Sequence, residues 1–177
     1  MRQRLAVHRA IMVVDVEGFG DPARTNLDQL AVREALYEAL GRAFAESGIG
    51  WGTCVSEDRG DGALILVPPE VPKARLVIDL PGRLAAAITR HNAGSSAPER
   101  MRLRVALHAG EVYHDAHGVA GAAVNHAFRL AEAAELRSAL AASPGVLAVI
   151  VSDWFSLRSS GMTRPLSPVR TAGSGWW

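Results

Sequence analysis

Two carboxylates can work together when one ends a buried strand and the other sits in a tight turn beside it. Asp15 closes the apolar run Ala10-Ile11-Met12-Val13-Val14 and is followed by Val16-Glu17-Gly18-Phe19-Gly20. Asp61 lies in Glu57-Asp58-Arg59-Gly60-Asp61-Gly62, directly before the apolar run 63–67. Gly60-Asp61-Gly62 has the composition of a hairpin turn, and the residues that follow read as a strand. If the strands are neighbours the two acids meet. A pair of carboxylates facing phosphate oxygens is what a Mg²⁺ or Mn²⁺ site requires. A second pair, Asn125 and Arg129, is four residues apart in a helix-forming stretch and so shares one helix face. Taken singly each has a plain reading: Asp15 as a loop cap, Asp61 as a turn residue, Asn125 as a surface residue and Arg129 as a partner of Glu132.

The rest of the chain must position these groups. Residues 10–16 are continuously apolar and predict a central strand covered on both faces. Residues 26–45 predict a helix, with Leu27, Leu30, Ala31, Leu36, Leu40 and Phe44 on its buried face and Thr25 or Asn26 as cap. A strand is expected over 51–56, and a helix over 73–91 that is interrupted or starts late at Pro81-Gly82. Residues 92–99 read as a loop and 101–109 as a strand, with Leu103, Val105 and Leu107 on one face and Arg102 and Arg104 on the other. Then come a loop over 110–121, one long helix over 122–142 and a buried strand over 146–151. A short helix over 153–157 and a weak strand over 166–171 complete the order, before a tail over 172–177. This order predicts one α/β domain spanning residues 1–177, with its core over about 10–171 and helices packed on a mixed sheet.

Composition narrows the function classes. A formal net charge of +1 offers no basic field for nucleic acid. The single cysteine, Cys54, fits a reducing, cytoplasmic setting, and no apolar run approaches a membrane span or a signal segment. Ala, Arg and Leu richness suggests a GC-rich, bacterial genome. Aromatic residues are few, and no flavin, haem or nicotinamide pattern is present. His108, His114, Asp115 and His117 cluster locally, but their spacing matches no closed zinc site.

Four blocks, in order, resemble the catalytic domain of class III adenylate and guanylate cyclases. They are Val14-Asp15-Val16-Glu17-Gly18-Phe19, Arg59-Gly60-Asp61-Gly62, the stretch from Leu103 to Val112, and the stretch from Gly121 to Leu130. The resemblance implies a ferredoxin-like, palm-type sheet, mainly antiparallel. It implies metal positions at Asp15, Val16 and Asp61 with two Mg²⁺ or Mn²⁺ ions, and a phosphate loop over Glu17, Gly18, Phe19 and Gly20. Asn125 would orient the ribose and Arg129 would contact the α-phosphate of a nucleoside triphosphate. In that family these two come from the partner subunit, so a head-to-tail homodimer is implied.

The base-recognition positions implied are Glu57 and Gly118. Guanylate cyclases commonly carry a glutamate where Glu57 stands, but Gly118 has no side chain with which to read a base, so the base stays open. Active members also carry a late lysine. Here no lysine follows Lys73, and Arg164 or Arg170 would have to substitute. Two alternatives follow: a degenerate cyclase-homology module that binds nucleotide or only dimerises, and a palm-like nucleotidyl transferase. The Asn125 and Arg129 helix argues against the latter.

Overall fold

The computed structural model describes residues 5–153 and the backbone of residues 169–171. The elements are β1 (Val7–Val16), α1 (Asn26–Glu46), β2 (Val55–Asp58), β3 (Gly62–Val67), α2 (Leu80–Gly94), β4 (Leu103–Asp115), β5 (Gly118–Ala120), α3 (Ala122–Ala131), α4 (Ala134–Ala142), β6 (Leu147–Val151) and β7 (Val169–Thr171). One sheet runs β2-β3-β1-β4-β6-β7, and β5 folds back on β4. Every described pairing is antiparallel except β4 with β6. That parallel pair is joined by a crossover through α3 and α4, as parallel strands require. The expected mixed, mainly antiparallel α/β sandwich is the fold observed.

The sheet is buried on both faces. Met12, Val14, Val16, Ile65, Val105 and Leu107 pack with Leu36, Leu40 and Phe44 of α1 and Leu80 and Leu84 of α2. The alternate residues Ile11, Val13, Leu64, Leu66 and Ala106 pack with Val124 and Ala127 of α3 and Leu136 and Leu140 of α4. This alternation explains the unbroken apolar run of β1: each side chain has a core to enter. It also sets direction. Asp15 and Arg104 fall in the alternation that faces α3 and α4, and they are cross-strand partners.

Several elements differ from the sequence-based expectation. Leu27 and Leu30 are exposed, at 76% and 54%, and the buried stripe of α1 starts at Val32. At 3.6 residues per turn Leu27 lies on the far side of the helix from Leu36, so one stripe cannot hold both. The Thr25 cap is present as a capping box, with Asp28 donating its backbone N–H to the threonine hydroxyl and accepting from the Thr25 N–H.

Residues 51–53 form a short 3₁₀ turn, so β2 begins only at Val55. A wide π-type turn over Arg75–Asp79 runs without a break into α2, so the helical backbone passes through Pro81, with the wide turn standing just ahead of the residue that lacks an N–H. The expected 110–121 loop is instead a hairpin: β4 continues to Asp115 and β5 pairs with it. The expected single helix over 122–142 breaks after Ala131. In one continuous helix Ala127 and Leu136, nine residues apart, would point in opposite directions; the break lets both enter the same core. The expected helix over 153–157 lies outside the described residues apart from Asp153, as do the tail and its two tryptophans.

Candidate active site

Asp15 and Asp61 are brought together by the register of β1 and β3. Asp15 stands opposite Gly62, and the Val16 N–H donates to the Asp61 carbonyl at 2.9 Å. Gly62 is the residue that permits this. A Cβ there would lie 1.9 Å from the Val14 carbonyl oxygen, so no other residue fits without moving the strands apart.

Burial pushes the Asp15 carboxyl above the usual carboxylate range, and the negative charge of Asp61 pushes it the same way. A hydrogen bond and the positive charge of Arg104 pull it back, as does the charge of Arg137. The Arg104 guanidinium forms an ion pair with Asp15, with its Nε donating to the carboxylate at 2.7 Å. Arg104 is a residue that sequence reasoning placed on a face without giving it a role. Its signal was a charge in an otherwise buried strand, which demands a partner.

The loop after β1 is pinned from below. The Glu17 carboxylate pairs with Arg102 at 3.0 Å, and Arg102 also donates to the carbonyls of Leu140, of Ser143 at 2.8 Å and of Gly145 at 3.1 Å. Arg24 donates to the Gly18 carbonyl at 2.8 Å, and to the carbonyls of Pro98 at 2.9 Å and Arg100 at 2.7 Å. The loop carbonyls are therefore turned inward onto a cation. The Val16 carbonyl accepts from the Phe19 N–H at 3.3 Å. On the outer side, an added Cβ at Gly18 or Gly20 would meet nothing within 4 Å. Phe19 packs partly against the core beneath.

A second group of sequence-marked residues gathers around β2 and the β4–β5 hairpin. Glu57 is paired with Leu64 and so faces α3. Gly118 is beside it: a Cβ at Gly118 would lie 2.8 Å from Glu57 Oε1, and φ is +124°, a conformation in which side chains are strained. The two expected base-recognition positions are thus neighbours. Asp58 points to the other face, where it pairs with Arg33 and accepts from the Tyr37 hydroxyl at 3.3 Å.

Asn125 and Arg129 are both exposed on α3, one turn apart. On β4, facing α3, lies His108, buried, with Nδ1 2.7 Å from the Ser152 hydroxyl and its ring 4.6 Å from that of His126. Burial holds His108 below the usual histidine range, and His126 adds to this.

The other sequence cues separate. His108 is taken by Ser152 and His126, while His114, Asp115 and His117 are exposed at the β4–β5 hairpin. Among the described residues, no group of three His, Cys, Asp or Glu side chains could hold a metal ion. Arg164 lies outside the described residues, and of Arg170 only the backbone pairing with Val149 is described. Among the described residues, no helix is long and apolar enough to cross a membrane.

No protein-family profile and no curated protein matches the chain. Solved structures do match it. An adenylate/guanylate cyclase/hydrolase from Silicibacter pomeroyi aligns at 23% identity over 86% of this chain and 80% of that one, with a TM-score of 0.57. The guanylyl cyclase Cya2 aligns at 18% identity over 83% and 76%, with a TM-score of 0.54. The monomeric guanylyl cyclase domain of the RhoGC fusion protein from the aquatic fungus Blastocladiella emersonii aligns at 16% identity over 86% of each chain, with a TM-score of 0.57. The fold of this chain is that of the adenylate and guanylate cyclase catalytic domains.

Proposed function

We propose that the chain is a nucleotidyl cyclase, converting a nucleoside triphosphate to a 3′,5′-cyclic nucleotide and pyrophosphate at a site shared between two copies. The observation that carries this reading is the apposition of Asp15 and Asp61 at the end of a buried strand in a cyclase fold. The negative charge of Asp61 raises the proton affinity of Asp15, and a divalent cation would relieve that repulsion. Two protein carboxylates also suffice for Mg²⁺, which keeps waters and substrate oxygens as its other ligands. Asp15 and Asp61, with the Val16 carbonyl, would hold it. When bound, the metal supplies Lewis acidity and lowers the pKa of the attacking hydroxyl.

In the reaction the ribose O3′ forms a bond to the α-phosphorus, the bond from that phosphorus to the bridging oxygen of pyrophosphate breaks, and the O3′ proton leaves to solvent. The transition state gathers negative charge on the α-phosphate. Arg129 would meet that charge, and Asn125 would hold the ribose so that O3′ stays in line. Their exposure on α3 supports their being presented to a second copy. In the Glu17–Gly20 loop the Glu17 N–H donates to the Arg102 carbonyl and the Phe19 N–H to the Val16 carbonyl, so the N–H groups of Gly18 and Gly20 are the ones that would meet the β- and γ-phosphates.

The test is incubation of the purified chain with ATP, GTP, CTP and UTP and Mn²⁺, with products resolved by mass spectrometry. A cyclic monophosphate that disappears in Asp15→Ala supports the enzyme.

One observation favours a second reading, a nucleotide-binding or dimerising module without catalysis. The Asp15 carboxylate is already engaged by Arg104, which a metal would have to displace or share. That reading expects no product from any of the four nucleotides while the protein stays folded and dimeric.

A further inference from the structure

Arg59 has no part in the site as described so far, yet it sits at its base-recognition end. Its Nη2 donates to Glu57 Oε2 at 2.8 Å, and its guanidinium carbon lies 5.0 Å from the centroid of the Phe128 ring. The ring fixes the plane of the guanidinium, as cation–π stacking does. The other Glu57 oxygen, Oε1, lies against Gly118, whose missing side chain leaves room for the carboxylate. Along one edge the order is therefore a donor fork and two acceptor oxygens. Both side chains are partly exposed, at 39% for Arg59 and 28% for Glu57.

We propose that Arg59 is a base-reading residue and that, with Glu57, it selects guanine; this rests on the nucleotide-binding reading above. A carboxylate only accepts hydrogen bonds and a guanidinium only donates them. The matching base edge must present one acceptor beside two adjacent donors. Guanine alone does so, with O6 next to N1–H and N2–H₂. Adenine and cytosine each offer one donor beside an acceptor, which leaves one Glu57 oxygen facing a lone pair. Uracil places a carbonyl oxygen against it. O6 would take Arg59, and N1–H and N2–H₂ would take the two Glu57 oxygens. The glycine and the arginine are then linked departures. A side chain at 118 would strike the Glu57 carboxylate, so the O6 donor comes from residue 59 instead.

The experiment is calorimetric titration of the full chain, with Mn²⁺, against 3′-deoxy nucleoside triphosphates, which bind but cannot cyclise. The wild-type chain is expected to bind the guanine nucleotide about 10- to 100-fold more tightly than the adenine one, the scale of one or two charge-assisted hydrogen bonds. Inosine, which lacks the 2-amino group, should fall between. Arg59→Ala should weaken guanine and inosine binding alike, because both carry O6, and leave adenine binding unchanged. Arg59→Lys should restore part of the loss. A chain that binds these nucleotides with no guanine preference, or whose preference survives Arg59→Ala, overturns the role of Arg59 and leaves the cyclase reading standing. A chain that binds none of them overturns the nucleotide site itself, and this inference with it.

Discussion

Gly62→Ala is the sharpest probe of how the two acids are held. The added methyl carbon would lie 1.9 Å from the Val14 carbonyl oxygen, 2.9 Å from its carbonyl carbon and 3.1 Å from the Asp15 Cα. All three are backbone atoms, so no rotamer change can relieve the contact. The strands must part by about 1.4 Å to reach ordinary carbon–oxygen separation. That movement stretches the hydrogen bond from Val16 N–H to the Asp61 carbonyl, now 2.9 Å, past its useful range. Overpacking costs about 1–3 kcal/mol. The lost hydrogen bond adds about 0.5–1.5 kcal/mol. For a chain of this length the sum lowers Tm by about 5–15 °C. The same movement carries Asp61 away from Asp15, so the Tm rise that the metal site proposed above requires of Mn²⁺ in the wild-type chain should be lost. Gly20→Ala is the control, because an added Cβ there meets nothing within 4 Å. It should change stability by no more than about 1 kcal/mol. Differential scanning calorimetry with and without Mn²⁺ reads both effects. A Gly62→Ala protein that melts within about 1 °C of wild type and keeps its metal response would refute the reasoning.

Three further outcomes follow from the site. The Asp15 carboxyl is raised by burial and by Asp61, so in metal-free protein its contribution to stability is full below its ordinary value and is lost as pH rises through the raised one. Asp61→Asn should flatten that loss in calorimetric scans taken upward from the ordinary carboxylate value of about 3.9; an unchanged profile would mean the two charges do not interact. His108 is depressed, so its contribution is full above the ordinary histidine value of about 6.5 and is lost as pH falls below it. Its imidazole resonance should titrate below that value and move toward it in His126→Ala; a midpoint at or above the ordinary value would contradict the burial seen. Arg129→Ala, at an exposed position, should keep the melting temperature while lowering cyclase turnover by about 100- to 1,000-fold; retained turnover would remove Arg129 from the transition state.

Much of this arrangement could be read from residue order. Continuous apolarity in β1 and β3 and alternation in β4 were enough to mark the strands and to make β1 central, because a strand buried on both faces must be; that β1 and β3 are neighbours entered only as a condition. The Gly-Asp-Gly turn then carried Asp61 to Asp15. What could not be read were the contacts made between distant loops. The carbonyls that Arg24 joins come from residues 18 and 98–100, and no local pattern announces them. Arg104 left a trace, a charge in a buried strand, but its partner depended on the register of two strands 89 residues apart in sequence. The break between α3 and α4 has no glycine or proline to mark it. It is imposed by the core, which needs Ala127 and Leu136 on the same side. The β4–β5 hairpin was missed because glycines and histidines at 110–121 read as loop, although Tyr113 and Val119 supply the strand-forming residues.

One edge of the sheet has a further consequence. β2 is four residues long and lies outermost, where unpaired backbone groups invite another strand to add. It ends in two adjacent acids, Glu57 toward one face and Asp58 toward the other, each neutralised by its own arginine. Charges on both faces of so short a strand discourage edge-to-edge aggregation. Replacing Glu57 with an uncharged residue to retune the base would therefore remove one of these guards. Solubility at high concentration would set a limit on how far specificity at this position can drift.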